Sequence, residues 1–426
     1  MSKVSPVLGG ATSALTPKYR YNRIISARYE EFEKLPPTVA RDPEYIAMWG
    51  DHYWQPIRKP LTDDLAEIVR SYNNDEKDMM KAGAGWVAQD FRDAIAEKLE
   101  LENNIYVDNP QKEIGTCHGA AEGFACAAGI FLEPGDEVLV LDPQFTFAWG
   151  LPDLHGAKTI SVPITEEDDW NLEPGKVPGL LEHLITDKTK MMIATIPGNP
   201  TGTVFSKDTT KAIGDVLRDH KIVYVEDAVY ERRVYDGCKF VSMASIPEMK
   251  DWTVCLMGFS KIYNVGTFRV GYVVANEDII DKVWRWHMLG GVDPPAPFQK
   301  TVAKALRRDM AGPLPPSWHE EYRKEWDEVR HWTYDMLKKI PGVSLRMPHG
   351  GTFHFINISK LGTSDEVFTY LRDKYKVTLT PGRWYGPGGH GYLRLCYASN
   401  VPERTREGTS RVVDGLTKLA RQKGVA

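Results

Sequence analysis

The stretch GFSKIYNVGTFRVGY (258–272) sets Lys261 directly behind a serine and eight residues ahead of Arg269, in a largely apolar run broken by glycines. An amine in apolar surroundings becomes a nucleophile or a base, and an arginine beside it offers a planar fork for phosphate or carboxylate. Lysines are almost never fully buried unless paired, so Lys261 alone reads as a surface residue, and any chemistry depends on what other segments bring to it. Three segments carry suitable groups. IVYVEDAVY (222–230) closes an apolar run on Asp227 with Tyr230 three positions on, IPGNPTG (196–202) offers Asn199, and CHGAAEGFACAAG (117–129) opens a helix at Gly119, Ala120 and Ala121. The free N–H groups and positive dipole end of such a helix form an anion site. Taken singly, each has a plain structural explanation: an acid after a strand caps or turns the chain, NP and TG mark a turn, and small residues open ordinary packed helices.

The elements that must carry these groups follow from hydropathy. Between about residues 90 and 310, short β-branched runs alternate with helical patterns, the sequence form of a parallel sheet covered by helices on both faces. The expected strands are 137–142, 158–164, 191–196, 222–227, 253–258 and 269–275, several of them apolar throughout, as strands buried on both faces must be. Ligands in such sheets bind beyond the carboxyl ends of the strands, which is where Asn199, Asp227 and Lys261 fall. A Pro/Gly-rich break, AGPLPPSW (311–318), leads into a helix with Trp318, Tyr322, Trp326, Val329 and Met336 as a core-facing stripe, then the strand GTFHFINI and a C-terminal helix. This organisation predicts a large domain over 61–311 and a smaller α+β domain over 312–426. Residues 1–60, with the aromatic cluster MWGDHYWQP (48–56), join the small domain or a subunit interface.

Composition excludes several classes of function. A hydrophobic share of 42% and a charged share of 26% are those of a folded globular chain. A net charge of −5 without a Lys/Arg-rich run argues against nucleic acid or lipid headgroups as partners and for a small molecule. No apolar stretch is long enough for a membrane span and no signal-type apolar region opens the chain, so a cytoplasmic location is expected. Five scattered cysteines and eleven histidines without ligand spacing predict reduced thiols and no protein-bound metal.

In combination the motifs are specific. GAAEG, DPQF (142–145), NPTG (199–202), DAVY (227–230), SK (260–261) with Arg269, and YLRL (392–395) occur in this order, and the chain resembles the class I/II aminotransferases, fold-type I pyridoxal-phosphate enzymes, over about residues 30 to 420. The resemblance implies an α/β fold whose large domain holds a mostly parallel seven-stranded sheet sandwiched by helices. It implies pyridoxal 5′-phosphate as cofactor, a homodimer, and an α-amino acid substrate with a 2-oxo acid acceptor. Lys261 then forms the internal aldimine and moves the proton between the substrate Cα and the cofactor, Asp227 keeps the pyridine nitrogen protonated, and Tyr230 and Asn199 hydrogen-bond the ring oxygen. Phe145 stacks on the ring, Gly119, Ala120, Ala121 and Arg269 hold the phosphate, and Arg394 binds the substrate carboxylate with Asn199 and Gly50 beside it.

The chain departs from the family pattern at Gly258, where a serine usually contacts the phosphate, and at Ala120, where some relatives have threonine. In KAGAGWVAQDFRDAIA (81–96) the tyrosine that reaches the neighbouring subunit's phosphate has no clear counterpart, with Lys81, His118 or another serine as open substitutes. GTFR (266–269) lacks the usual Pro-Gly. The scaffold hosts transamination, β- or γ-elimination and replacement, syntheses from S-adenosylmethionine and oxygen-dependent amino-acid oxidation; transamination is the leading expectation. A bulky substrate would place Trp49, Tyr53, Trp54 and Trp86 at the entrance. A non-catalytic regulator of the same fold is the third reading, disfavoured by the retained Lys261. Arg232, Arg233 and Arg383 read as solvated loop residues, with recognition of an acidic substrate as the alternative.

Overall fold

A computed structural model describes residues 42–50, 55–72, 89–290 and 293–425. Its main sheet has seven strands: β2 (Ile114–Cys117), β3 (Glu137–Asp142), β4 (Lys158–Pro163), β5 (Thr189–Thr195), β6 (Val223–Asp227), β7 (Thr253–Gly258) and β8 (Gly271–Val274). Their spatial order is β2-β8-β7-β6-β5-β3-β4. Strands β4, β3, β5, β6 and β7 are parallel neighbours, and β8 is antiparallel to both β7 and β2. This is the α/β fold expected from the sequence. All six expected strands form, with ends shifted by one or two residues; the edge strand IGTC was not singled out, being short and built of small residues.

Alternation along each strand fills two separate cores. Val138, Val140 and Ile193 point to one face, against Phe124, Ala127 and Ala128 of α3 (Ala120–Phe131). Leu139, Leu141, Met192 and Ala194 point to the other, against Ile213 and Leu217 of α6 (Lys207–Asp219). Each such side chain, fully buried, contributes about 1.5–3 kcal/mol, so the apolar runs hold the strand ends in place. Ser206 caps α6 by accepting from the Thr209 amide at 3.0 Å. The other helices of this part, apart from the single turn Pro110–Glu113, are α1 (Lys59–Tyr72), α2 (Gln89–Lys98), α4 (Thr146–Leu154), α5 (Val177–Leu184), α7 (Glu277–Gly290) and α8 (Ala296–Met310). Leu61 of α1 and Phe91 and Ile95 of α2 share a core with Val302 and Leu306 of α8.

After the Pro-rich break, α9 (Ser317–Leu337) buries Trp326, Val329 and Leu337 against Phe353 and Ile356. These belong to a three-stranded antiparallel sheet ordered β11-β12-β9, with β9 Phe353–Asn357, β11 Thr380–Pro381 and β12 Tyr392–Cys396. Helices α10 (Ser364–Tyr375) and α11 (Pro402–Gln422) cover it. The segment around β1 (Ile46–Ala47) adds to this part, pairing in parallel with β10 (Val377–Thr378), and the Met48 carbonyl accepts from the Cys396 amide at 2.8 Å. All five cysteines are free thiols, and no helix among the described residues is long and apolar enough to cross a membrane.

Candidate active site

Strands β3, β5, β6 and β7 end at the same edge of the main sheet, and the antiparallel β8 begins there. The connection 259–270 between β7 and β8 therefore holds Lys261 and Arg269 over that edge without a helical crossover. They face a cavity of about 1250 Å³. Its walls include every residue to which the resemblance assigns a cofactor or substrate role: Gly50, Gly119, Ala120, Ala121, Phe145, Asn199, Asp227, Tyr230, Lys261, Arg269 and Arg394.

Asp227 ends β6 and is buried. Its Oδ2 accepts from Thr195 Oγ1 at 2.9 Å and its Oδ1 from the Val229 amide at 3.4 Å. Burial pushes its pKa up to about 6, against the pull of those hydrogen bonds and of the Lys261 charge. A carboxylate placed so at a cavity wall is matched by a cationic N–H. Tyr230, one turn further, receives the Asn199 side-chain amide on its hydroxyl at 3.4 Å and stands edge-on to Phe353.

The anion end of the cavity is built from backbone. Gly119 precedes α3 with φ 74°, a left-handed conformation that glycine adopts freely, and a Cβ there would lie 2.7 Å from Arg269 Nη2. Gly271, the first residue of β8, leaves even less room, since a Cβ would sit 2.7 Å from the Gly119 backbone. The sheet can thus approach the helix start closely enough to bring Arg269 over the first amides of α3. Arg269 is itself left-handed, φ 54°, and donates to the carbonyls of His118 at 2.8 Å and Gly266 at 3.1 Å. The first N–H groups of a helix have no intrahelical acceptor, and here they meet a guanidinium around a space shaped by glycine, a donor set suited to phosphate.

At the other end, Arg394 stands in the middle of β12, buried, with Nη1 donating to Asn199 Oδ1 at 2.9 Å and Nη2 to the Trp49 carbonyl at 2.6 Å. Its guanidinium lies over Phe353 and Tyr385, 4.3 and 5.1 Å from the ring centroids. Arg394 Nε is buried with no hydrogen-bond partner, and an unpaired donor of this kind fits a carboxylate guest.

Several features escaped sequence reasoning. Ser260 and Thr267 also line the cavity, near Arg269 in the chain. They bring hydroxyls to the cavity wall, and their position inside the SK and GTFR motifs was the available signal. His118 is not among the cavity walls, and its Nδ1 lies 2.9 Å from Glu122 Oε2, while His287 Nδ1 lies 3.0 Å from Oε1 of the same carboxylate. This His-Glu-His group is one of two among the described residues with metal-ligand proximity, and its members are hydrogen-bonded to one another. Those two bonds, with the His118 amide, hold Glu122 down at about 2 in spite of burial. Arg232 and Arg233, expected as solvated, are both buried in ion pairs and hydrogen bonds away from the cavity walls, so neither reading made for them holds. Arg383 does line the cavity, but its Nε donates to both oxygens of Asp365 at 2.8 and 2.7 Å. Trp49 is in the wall as expected, whereas Tyr53, Trp54, Lys81 and Trp86 lie outside the described residues.

Comparison with known proteins bears on the whole chain. The family model for aminotransferase class I and II matches residues 59–412. An aspartate aminotransferase of Pyrococcus abyssi is 33% identical over 365 residues, 84% of this chain and 90% of that protein. An aromatic-amino-acid aminotransferase of Thermococcus litoralis is 32% identical over 78% of this chain and 82% of its own length. The crystal structure of an aromatic aminotransferase from Pyrococcus horikoshii superposes with a TM-score of 0.80 at 28% identity, covering 91% of this chain and 97% of that one. With the family match running from α1 into α11 and the relatives aligning over about four fifths of the chain, the chain belongs to the class I and II aminotransferase family and is a pyridoxal-phosphate-dependent aminotransferase.

Proposed function

We propose that this enzyme moves the amino group of an α-amino acid to a 2-oxo acid, holding pyridoxal 5′-phosphate in the 1250 Å³ cavity through Lys261. The observation that carries the reading is the convergence on that cavity of a buried acid, an amine, an anion cradle and an arginine with an unmatched donor. When bound, the cofactor supplies an electron-accepting ring that stabilises negative charge at the substrate Cα.

The residues divide the remaining work. Arg394 binds the substrate carboxylate, and Asn199 and Gly50 line the same end, which fixes the Cα. Lys261 Nζ takes the proton from Cα and returns it to the cofactor side, acting as general base and then acid. Asp227 would face the ring nitrogen and keep it protonated. Tyr230 and Asn199 would donate to the ring oxygen and Phe145 would lie against the ring. Gly119, Ala120, Ala121 and Arg269 would hold the phosphate, with Ser260 and Thr267 in the same wall.

The cavity wall is rich in aromatic side chains, with Phe147, Trp149, Trp384 and Tyr385 beside Phe145. Arg383, which lines the same wall, is bound to Asp365. Both favour an aromatic or other large apolar donor over an acidic one, the donor class named for the Thermococcus litoralis relative, whereas the Pyrococcus abyssi relative is an aspartate aminotransferase. The chain is further proposed to work as a cytoplasmic homodimer, with residues 61–311 as the cofactor-binding domain and 312–426 as the smaller one. Residues 1–60 are assigned to the small domain or a dimer interface; for the described stretch 42–50 the pairing of β1 with β10 supports the small domain.

The test is spectroscopic. Purified protein with bound cofactor, given phenylalanine, tyrosine, aspartate or glutamate in turn, should lose its visible absorption band with aromatic donors and regain it on addition of a 2-oxo acid. Oxygen uptake without recovery of the band, or a persistent long-wavelength band, would move the enzyme to the oxidase or elimination branch. Bleaching only by the acidic donors would reverse the substrate reading.

A further inference from the structure

The sequence DAVYERRVY places two arginines directly after Tyr230, and the second of them points at the backbone that carries Lys261. Arg233 is 1% exposed, and its Nη2 donates to the Lys261 main-chain carbonyl. Its Nη1 reaches His319 Nδ1 at 3.0 Å, and its guanidinium carbon lies 3.7 Å from the centroid of the Trp326 ring. His319 and Trp326 both belong to α9.

The roles of the histidine nitrogens follow from their neighbours. His319 Nε2 lies 2.5 Å from the Arg232 carbonyl, which only accepts, so Nε2 carries the proton and Nδ1 offers its lone pair to Arg233. Burial and the charges of Arg233 and Arg232 push the His319 pKa well below its ordinary value, so the ring stays neutral and keeps that lone pair. Arg233 is also fixed through its backbone, with its amide on the Tyr230 carbonyl at 2.7 Å and its carbonyl accepting from Gly351 at 2.9 Å. A planar guanidinium reaches two acceptors on either side while lying flat on an indole, which an ammonium cannot do.

We propose that Arg233 is a positioning residue for Lys261, a clamp that fixes the backbone of the active-site lysine to α9 through Trp326 and His319. The inference rests on Lys261 being the cofactor-linking amine. Lys261 lies in an irregular turn rather than in a helix or strand, so the direction of its side chain depends on how its peptide units are held. A further tether acts two residues on, where Tyr263 donates to Asp309 Oδ2 at 2.6 Å and Asp309 also accepts from Trp318 Nε1 at 2.7 Å. The lysine turn is thus held at Lys261 and again at Tyr263 by groups that also contact His319 and Trp318 at the start of α9.

The experiment compares Arg233→Met and Arg233→Lys with Arg330→Met, all with the cofactor bound. Arg330 is equally buried on α9 and pairs with Asp236 at 2.8 Å, but its hydrogen bonds go to Asp236, Asp327 and the Pro348 carbonyl rather than to Lys261, so it reports what loss of a buried arginine does to the fold alone. Three quantities are read: deuterium exchange of peptides spanning 259–264, the pH midpoint of the visible band, and kcat against KM for the amino donor. In Arg233→Met the exchange should quicken, the midpoint shift, and kcat fall about 10- to 100-fold at nearly constant KM, as expected for a misplaced base. Arg330→Met, even at a matched loss of Tm, should leave all three near wild type.

Equal behaviour of the Met variants at equal Tm loss would overturn the proposal. If Arg233→Met does not fold, Arg233→Lys decides: it keeps the charge but not the fork, and wild-type values for all three quantities would sink the idea. A wild-type protein that never develops the visible band would instead refute the role of Lys261 itself, a separable outcome.

Discussion

Replacing Asp227 by Asn should stabilise the cofactor-free protein while crippling the loaded one, and the first effect carries a definite pH signature. Asp227 is buried, and its pKa is raised from 3.8 to about 6. Between those values the native state holds a proton that the unfolded chain has released, so stability falls as pH rises through the interval. The full cost, two units at about 1.4 kcal/mol each, is about 3 kcal/mol once the pH exceeds 6. Linkage gives roughly 1 kcal/mol of it at about pH 4.5 and nearly all of it at about pH 7.5. Asn carries no such penalty, and any change in its bonds to Thr195 and the Val229 amide adds an offset independent of pH. Urea denaturation of both cofactor-free proteins across this range should therefore show the stability of Asp227→Asn relative to wild type rising by about 2 kcal/mol from the acidic to the neutral end. Glu226, also buried and pushed up to about 7, titrates in both proteins and cancels in the difference. With cofactor present the order should invert, since Asn cannot pair with a protonated ring nitrogen. A difference that is flat with pH, or that falls as pH rises, would refute the reasoning that burial dominates the Asp227 environment.

Lys261→Ala should abolish the visible band of the bound cofactor, and a retained band would remove the lysine from its role. Arg394→Lys loses the fork that serves Asn199 and the incoming carboxylate; kcat/KM for every α-amino acid donor should drop about 30-fold or more, with cofactor affinity unchanged. Gly119→Ala combines a φ of 74° and ψ of 164°, a region open essentially to glycine, with a Cβ 2.7 Å from Arg269 Nη2, so it should cost about 1–3 kcal/mol in backbone strain, read as a lower Tm, and weaken cofactor binding by displacing Arg269. Normal cofactor affinity in that variant would show that Arg269 is not part of the cradle.

The sheet could be read from the sequence because its strands are apolar on both faces; Leu139 and Val140 serve different cores, and no polar alternation blurred the run. Strand β2 was missed because Ile-Gly-Thr-Cys has neither length nor branched bulk. The cavity residues were legible for a topological reason: parallel strands deliver their carboxyl ends to one edge, so Asn199, Asp227 and Lys261 had to meet there. Arg232 and Arg233 were not legible. Two arginines after a turn look solvated, and their partners, Glu102, Asp309, His319 and Trp326, lie from about 75 to 130 residues away in the chain. Burial of such charges depends on packing that local pattern does not encode. Ser260 and Thr267 were visible in motifs already singled out, but attention went to the serine missing at Gly258 rather than to hydroxyls nearby.

The antiparallel placement of β8 constrains how this chain can change length. The connections from β4 to β5 and from β5 to β6 run through α5 and α6, none of whose residues lines the cavity, and insertions there leave the site untouched. Lys261 and Arg269 instead ride one connection of twelve residues, 259–270, between adjacent strands at the cavity rim. Lengthening that loop by even one residue would shift the amine relative to the phosphate-facing arginine, with Gly271 packed too closely on Gly119 to absorb the slack. Engineered insertions should therefore be tolerated after α5 or α6 and fail between residues 259 and 270.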